Sequence, residues 1–200
     1  MQELFYEETA AITNAGPAKT KYYVIKTFSV ISYVIAVAWL LINVMIFPLE
    51  GNVLLNILFV AIPFALFLAS GIFLGRIKDK FYVDYDYTFV TGSIRFSRVI
   101  KNVKRKNILV CDTHNIEKIG RYGSNTFLRY NAMPDKKRMY LTSNIEPAEG
   151  KNFYYMVVNT NGQKYFLILE CSELFLINIL KFTGKLVFED DFFNKKSGDK

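Results

Sequence analysis

The chain has 200 residues, 52% hydrophobic and 22% charged, with a formal net charge of +7, two cysteines and one histidine. That length holds one domain of ordinary size beside a short membrane anchor. Cys111 and Cys171 lack CxxC spacing, which excludes a zinc site of that type, and the positive balance points to anionic partners, lipid head groups or nucleic acid. Residues 76–200 hold the excess, 22 Lys+Arg against 14 Asp+Glu, whereas Lys19, Lys21 and Lys26 balance Glu3, Glu7 and Glu8 in residues 1–26.

Residues 1–26 read as a cytoplasmic N-terminal segment. Thr27 to Phe47 then runs 21 residues without a charge, and Val53 to Leu74 runs 22. At 1.5 Å per residue each covers a hydrocarbon core of about 30 Å, and a helix satisfies its own backbone there. Residues 27–74 are thus a transmembrane helical hairpin, closed by the turn Pro48-Leu49-Glu50-Gly51-Asn52. That turn has no Lys or Arg, while Lys19, Lys21 and Lys26 precede the first span and Arg76, Lys78 and Lys80 follow the second. The positive-inside rule puts both termini in the cytoplasm of a two-span protein of the cell membrane. Ala36-Val37-Ala38 matches a signal-cleavage pattern, but Trp39 to Phe47 continues the apolar run where a polar boundary belongs. Asn43 and Asn56, near the outer ends, read as hydrated or helix-bonded rather than as a conducting site. Ala61, Ala65 and Ala69 offer one smooth face for packing against the first helix or another copy.

Gly75 to Lys80 reads as a six-residue linker to a cytoplasmic domain over residues 80–190, with a polar tail at 191–200. Phe81 to Phe89 alternates with period two, and Thr91-Gly92 offers a turn. With Val90 opposite Ser93, Thr88 faces Arg95, Asp86 faces Ser97, and Phe89 and Tyr87 meet Ile94 and Phe96. Tyr85 would then face Arg98, so a bulge is expected there. Asp84 and Asp86 read as solvated salt-bridge partners of the basic strand, with Arg95 diagonal to Asp86. Asn107 to Cys111 is a third strand, Ile116 to Tyr122 and Thr126 to Tyr130 are short mixed segments, and Met139 to Thr142 is a further candidate. Phe153 to Val158 and Lys164 to Leu169 form a hairpin through Asn161-Gly162, a type I′ pair. Ser172 is a helix N-cap before Glu173, Leu174 to Phe182 is helical, and Gly184 is its stop.

About seven strands closed by one helix is the order of a pleckstrin-homology-like (PH-like) barrel or sandwich, and another small barrel also fits. The stretches MQELFYEE, YVDYDYTFVTGSIRF and KRKNILVCDTHNIEKIGRYGS and the terminal hairpin-plus-helix resemble an uncharacterised family of small membrane proteins from clostridial-type bacteria. The resemblance covers residues 1–186. It implies an α+β membrane protein with two transmembrane helices followed by a PH-like domain, and it implies no site.

No GxSxG, P-loop, GxGxxG or HExxH is present, so neither an enzyme nor a cofactor is expected. Cys111 and His114 hold nucleophile and base types without a fixed orienter, and both cysteines read as buried thiols. One cluster stands out: Arg95, Arg98, Lys101, Lys104, Arg105 and Lys106, with no acid among them. It reads as a solvated positive face or as a contact for anionic lipid head groups. Nucleic acid is disfavoured by tethering and by the lack of a binding motif. The expected function is a membrane-anchored module that binds a protein partner or the inner-leaflet surface. The alternative is a structural subunit of a membrane complex or homo-oligomer.

Overall fold

The computed structural model describes residues 4–46, 53–101, 103–183 and 187–188. The chain divides into two units, residues 14–82 and residues 1–13 together with 83–200.

In the first unit, α1 (Ala15–Ile46) and α2 (Val53–Ile77) are long and apolar enough to cross a membrane. On α1 the covered positions include Ala18, Tyr22, Ile25, Ser29, Ser32, Ala36, Trp39 and Asn43. On α2 they include Asn56, Val60, Pro63, Phe67, Ser70 and Leu74. Both sets step by fours and threes, the 3.5-residue period of a coiled-coil seam. The seam is fastened at backbone carbonyls: Ser29 Oγ donates to Gly71 O at 2.8 Å and Trp39 Nε1 to Val60 O at 3.3 Å. A Cβ at Gly71 would lie 2.9 Å from the Tyr33 ring, so any larger residue there must displace that ring. Ala61, Ala65 and Ala69 are all exposed; the small-residue face is turned away from α1. Asn43 donates to Trp39 O one turn back, at 2.8 Å.

Two expectations change here. Helix α1 starts twelve residues before Thr27: Pro17 falls in its first turn, where a missing N–H costs nothing, and Ala18 and Tyr22 are already covered. The expected linker is not a linker: α2 runs to Ile77 and a 3-10 turn covers Lys78–Lys80. Gly75, the one candidate breaker, packs against Ser29 Oγ. The expected turn 48–52 and the tail from residue 191 lie outside the described residues, as does Gly184.

The second unit is a pair of four-stranded sheets with one closing helix. The first sheet runs in order β1 (Phe5–Ala10), β2 (Val83–Val90), β3 (Ser93–Ile100), β4 (Lys104–Asp112). The second has β5 (Ile116–Arg121), β6 (Lys137–Tyr140), β7 (Asn152–Thr160) and β8 (Gln163–Cys171), in order β5-β7-β8-β6. Tyr87, Phe89, Ile94 and Phe96 of the first sheet meet Tyr154, Met156, Leu167 and Leu169 of the second. Helix α4 (Glu173–Thr183) closes the core with Phe175, Leu176 and Ile179. Ser172 caps it, accepting from Phe175 N at 3.3 Å. Residues Val187 and Phe188 return to β5, where Ile119 N donates to Val187 O at 2.7 Å.

The β2–β3 register is as expected, from Val90 opposite Ser93 to Asp86 opposite Ser97. It continues unbroken through Tyr85 and Arg98; the bulge lies instead between β3 and β4, at Phe96/Ser97. Tyr85 tolerates Arg98 because its phenol end is polar while its ring packs on the core. The β7–β8 turn has Asn161 at φ 52° and Gly162 at φ 71°, the positive pair a type I′ turn needs. Residues 126–130 are not a strand. They lie in helix α3 (Asn125–Asn131), capped by Ser124, and Phe127 and Tyr130 cover the outer face of β7 and β8. Strand β6 pairs with β8 in parallel. Strand β1 is an addition that the sequence did not announce.

Candidate functional site

Four of the six basic residues converge at one hairpin end. Strands β3 and β4 are joined at 101–103, where Val103 N donates to Ile100 O at 3.1 Å and Lys101 takes φ 54°. Ile100 lies opposite Lys104, Val99 opposite Arg105 and Arg98 opposite Lys106. Alternation along the strands puts Arg98, Lys104 and Lys106 on the face that carries Ile94 and Phe96 further up, and Arg105 on the other. Lys104 and Lys106 are exposed; Arg98 and Lys101 are half-buried. Burial raises the Tyr85 phenol above its ordinary 10.0 and the neighbouring Arg98 guanidinium offsets part of that rise.

The other two basic residues do different work. Arg95 is exposed opposite Thr88 and Val110, on the far side of the bulge from the turn. Arg105 is committed to acids, 3.0 Å from Asp86 and 3.2 Å from Glu7. It reaches from β4 past β3 to acids on β2 and β1. Strand β4 is an edge of its sheet, where lysines also guard against unwanted strand pairing.

Asp84 and Asp86 are not solvated: they are 7% and 3% exposed. Asp86 accepts from Thr9 Oγ1 at 2.7 Å, and Asp84 accepts from Ile12 N at 2.8 Å. Both partners come from the N-terminal segment, and the cation on Asp86 is Arg105 rather than the expected Arg95. Burial pushes the Asp84 carboxyl above its ordinary 3.8, opposed by the Ile12 N–H and assisted by the Asp86 charge.

A second polar cluster was not visible in the sequence. Glu170 is fully buried and accepts from Asn144 Nδ2 at 3.0 and 2.9 Å, from Ala148 N at 2.9 Å, and from Thr142 Oγ1. Asn144 also donates to Ala11 O at 2.8 Å and accepts from Thr13 N at 2.8 Å. Beside it, Ser143 Oγ donates to Val83 O at 2.8 Å. The loop 141–151 therefore clamps residues 11–13 and the start of β2 together. These are the two places where the chain leaves this unit.

The Cys111 thiol lies on the core side of β4, where burial pushes its pKa up to about 12. The Cys171 thiol is also buried and pushed well up. His114 is exposed in the 3-10 turn Thr113–Asn115 after β4. Among the described residues no group of three or more His, Cys, Asp or Glu could hold a metal ion.

No curated protein and no solved structure matches the chain. The family model of a bacterial PH-like domain, DUF6106, matches residues 16–189, which take in both apolar helices and every strand after β1. The chain belongs to that family, a bacterial PH-like domain of unknown function.

Proposed function

We propose that the protein is a membrane-anchored, non-enzymatic PH-like module whose β3–β4 hairpin binds anionic head groups of the membrane that its helices cross. The observation that carries the reading is the gathering of Arg98, Lys101, Lys104 and Lys106 at one hairpin end. That end adjoins the start of β2, because Ile100 pairs with Val83. Only 11% and 6% of the most apolar windows of α1 and α2 are buried within the protein, which suits a lipid solvent better than a soluble core. The pairing of β1 with β2 supports two crossings. Residues 5–10 pair with β2 in the first sheet of the β domain, so a helical pair inserted between these two strands must leave and return on the same side. The buried, proton-holding thiol of Cys111 is a poor nucleophile at neutral pH, which fits a binding role.

The test uses residues 1–13 joined to 83–200 by a Gly/Ser linker, since a fragment starting at residue 80 would lack β1. Sedimentation with vesicles at low salt should show binding to anionic and not to neutral lipid. Lys101→Gln, Lys104→Gln and Lys106→Gln together should cost about 3 kcal/mol, roughly a hundredfold in affinity. Arg105 is left intact because it serves Asp86. A wild-type domain that ignores anionic vesicles at low salt contradicts the lipid reading.

The outward Ala61/Ala65/Ala69 face favours a second reading, a subunit of a homo-oligomer or membrane complex. Crosslinking in native membranes that yields only monomer would remove it.

A further inference from the structure

The β domain carries two conspicuously exposed apolar side chains on loops. Val103 is 81% exposed at the β3–β4 turn and Ile145 is 96% exposed in the loop 141–151. Scattered apolar residues are common on protein surfaces, but the hydrogen bonding of the fold puts the loops of these two at one end of the domain. Ser143 Oγ binds Val83 O, and Val83 pairs with Ile100, the first residue of the turn that presents Val103. Asn144, next to Ile145, binds Ala11 O and Thr13 N. Both tips thus lie at the end of the domain where the chain leaves it at Thr13 and re-enters it at Val83. Neither is a loose excursion. The Val103 N–H to Ile100 O bond fixes one tip, and the Asn144–Glu170 clamp fixes the other.

We propose that Val103 and Ile145 are paired membrane wedges that enter the acyl boundary of the bilayer, while Lys101 and Lys104, flanking Val103, sit at the phosphate level. The inference deepens the head-group reading and rests on it. An apolar tip inside a cationic collar matches the layered chemistry of an anionic interface, charge outside and hydrocarbon within. The collar belongs to the hairpin only, since Glu146 and Glu149 on the loop of Ile145 are exposed acids. Entry of Val103 should therefore depend on anionic lipid more than entry of Ile145 does.

The test uses the full chain reconstituted in vesicles, with Val103→Cys, Ile145→Cys, Lys106→Cys and Gln163→Cys each labelled by an environment-sensitive fluorophore. All four positions are exposed, and the native thiols are buried. In anionic vesicles the labels at 103 and 145 should shift to the blue and be quenched by nitroxides on the acyl chains. The label at 163, the first residue of β8, should stay water-like. Lys101→Glu with Lys104→Glu should reverse the shift at 103. Water-like labels at 103 and 145, with the label at 106 quenched by head-group nitroxides, overturn the wedges and leave the head-group contact standing. No quenching at 103, 145 or 106 overturns both.

Discussion

The carboxylate of Glu8, on β1, accepts the backbone N–H of Ser172 at 2.8 Å and its hydroxyl at 2.8 Å. Ser172 is the residue that caps α4. A strand that precedes the apolar helices is thereby fastened to the cap of the closing helix, 164 residues away. Lys151 Nζ adds an ion pair to Glu8 at 3.4 Å. Glu8 is 9% exposed, and removing it leaves the half-buried Ser172 N–H, Ser172 hydroxyl and Lys151 ammonium without this acceptor. Glu8→Ala should lower the stability of the β domain by about 2–3 kcal/mol, and Glu8→Gln, which keeps an acceptor, by about half as much. Urea titration followed by tyrosine circular dichroism reads both. Equal losses would show that the hydrogen bonds contribute nothing beyond the ion pair.

Asp84 gives a pH dependence of defined sign. Burial raises its carboxyl above the ordinary 3.8. A group raised in this way favours the folded state fully below its unfolded pKa, and the advantage is lost as pH rises through the folded value. At pH 7 the ionised, buried Asp84 therefore costs stability. Asp84→Asn should melt higher than wild type at pH 7, and the gap should close as pH falls toward 3.8. A variant less stable at pH 7 would show that Asp84 is held by interactions that outweigh its burial.

The two thiols should be silent in the folded chain. Cys111 is 2% exposed with a pKa pushed up to about 12, and Cys171 is fully buried. Maleimide should modify neither at pH 7.5 and both in denaturant. Rapid labelling of Cys111 without denaturant would contradict its place in the core.

The helical seam depends on a close approach at Gly71. A larger side chain there meets the Tyr33 ring, starting from a Cβ contact of 2.9 Å. Gly71→Leu should destabilise the helical pair in detergent by about 1–3 kcal/mol. Tyr33→Ala in the same chain should recover part of the loss, because it removes the ring that the new side chain strikes. The thermal transition of the helical circular dichroism signal measures both.

Periodicity carried much of this fold into view, and burial of polar groups hid the rest. The β2–β3 register was legible because Tyr87, Phe89, Ile94 and Phe96 share one face. The β7–β8 turn was legible because Asn161-Gly162 admits few other conformations. Strand β1 was hidden because its inward residues are Tyr6, Glu8 and Ala10, and a buried glutamate reads as surface until Ser172 and Lys151 are seen beside it. Helix α3 was hidden because seven residues show barely two turns of a helical period. The basic hairpin was legible as composition alone. Its division into Arg105, held by acids, and the lysines around the turn needed the register of β3 on β4. Ile145 and Val103 gave no signal in the sequence, since only the hydrogen bonds of Ser143 and Asn144 bring their loops to one end of the domain.

The proposed membrane crossing by α1 and α2 lies between two paired strands, β1 and β2. Phe5→Cys on β1 and Gln163→Cys on β8, both exposed, can be probed with a membrane-impermeant maleimide in inside-out and right-side-out vesicles. Labelling of both cysteines in inside-out vesicles, and of neither in right-side-out ones, is the predicted result. Labelling of the two from opposite sides, or of both from outside, would contradict it.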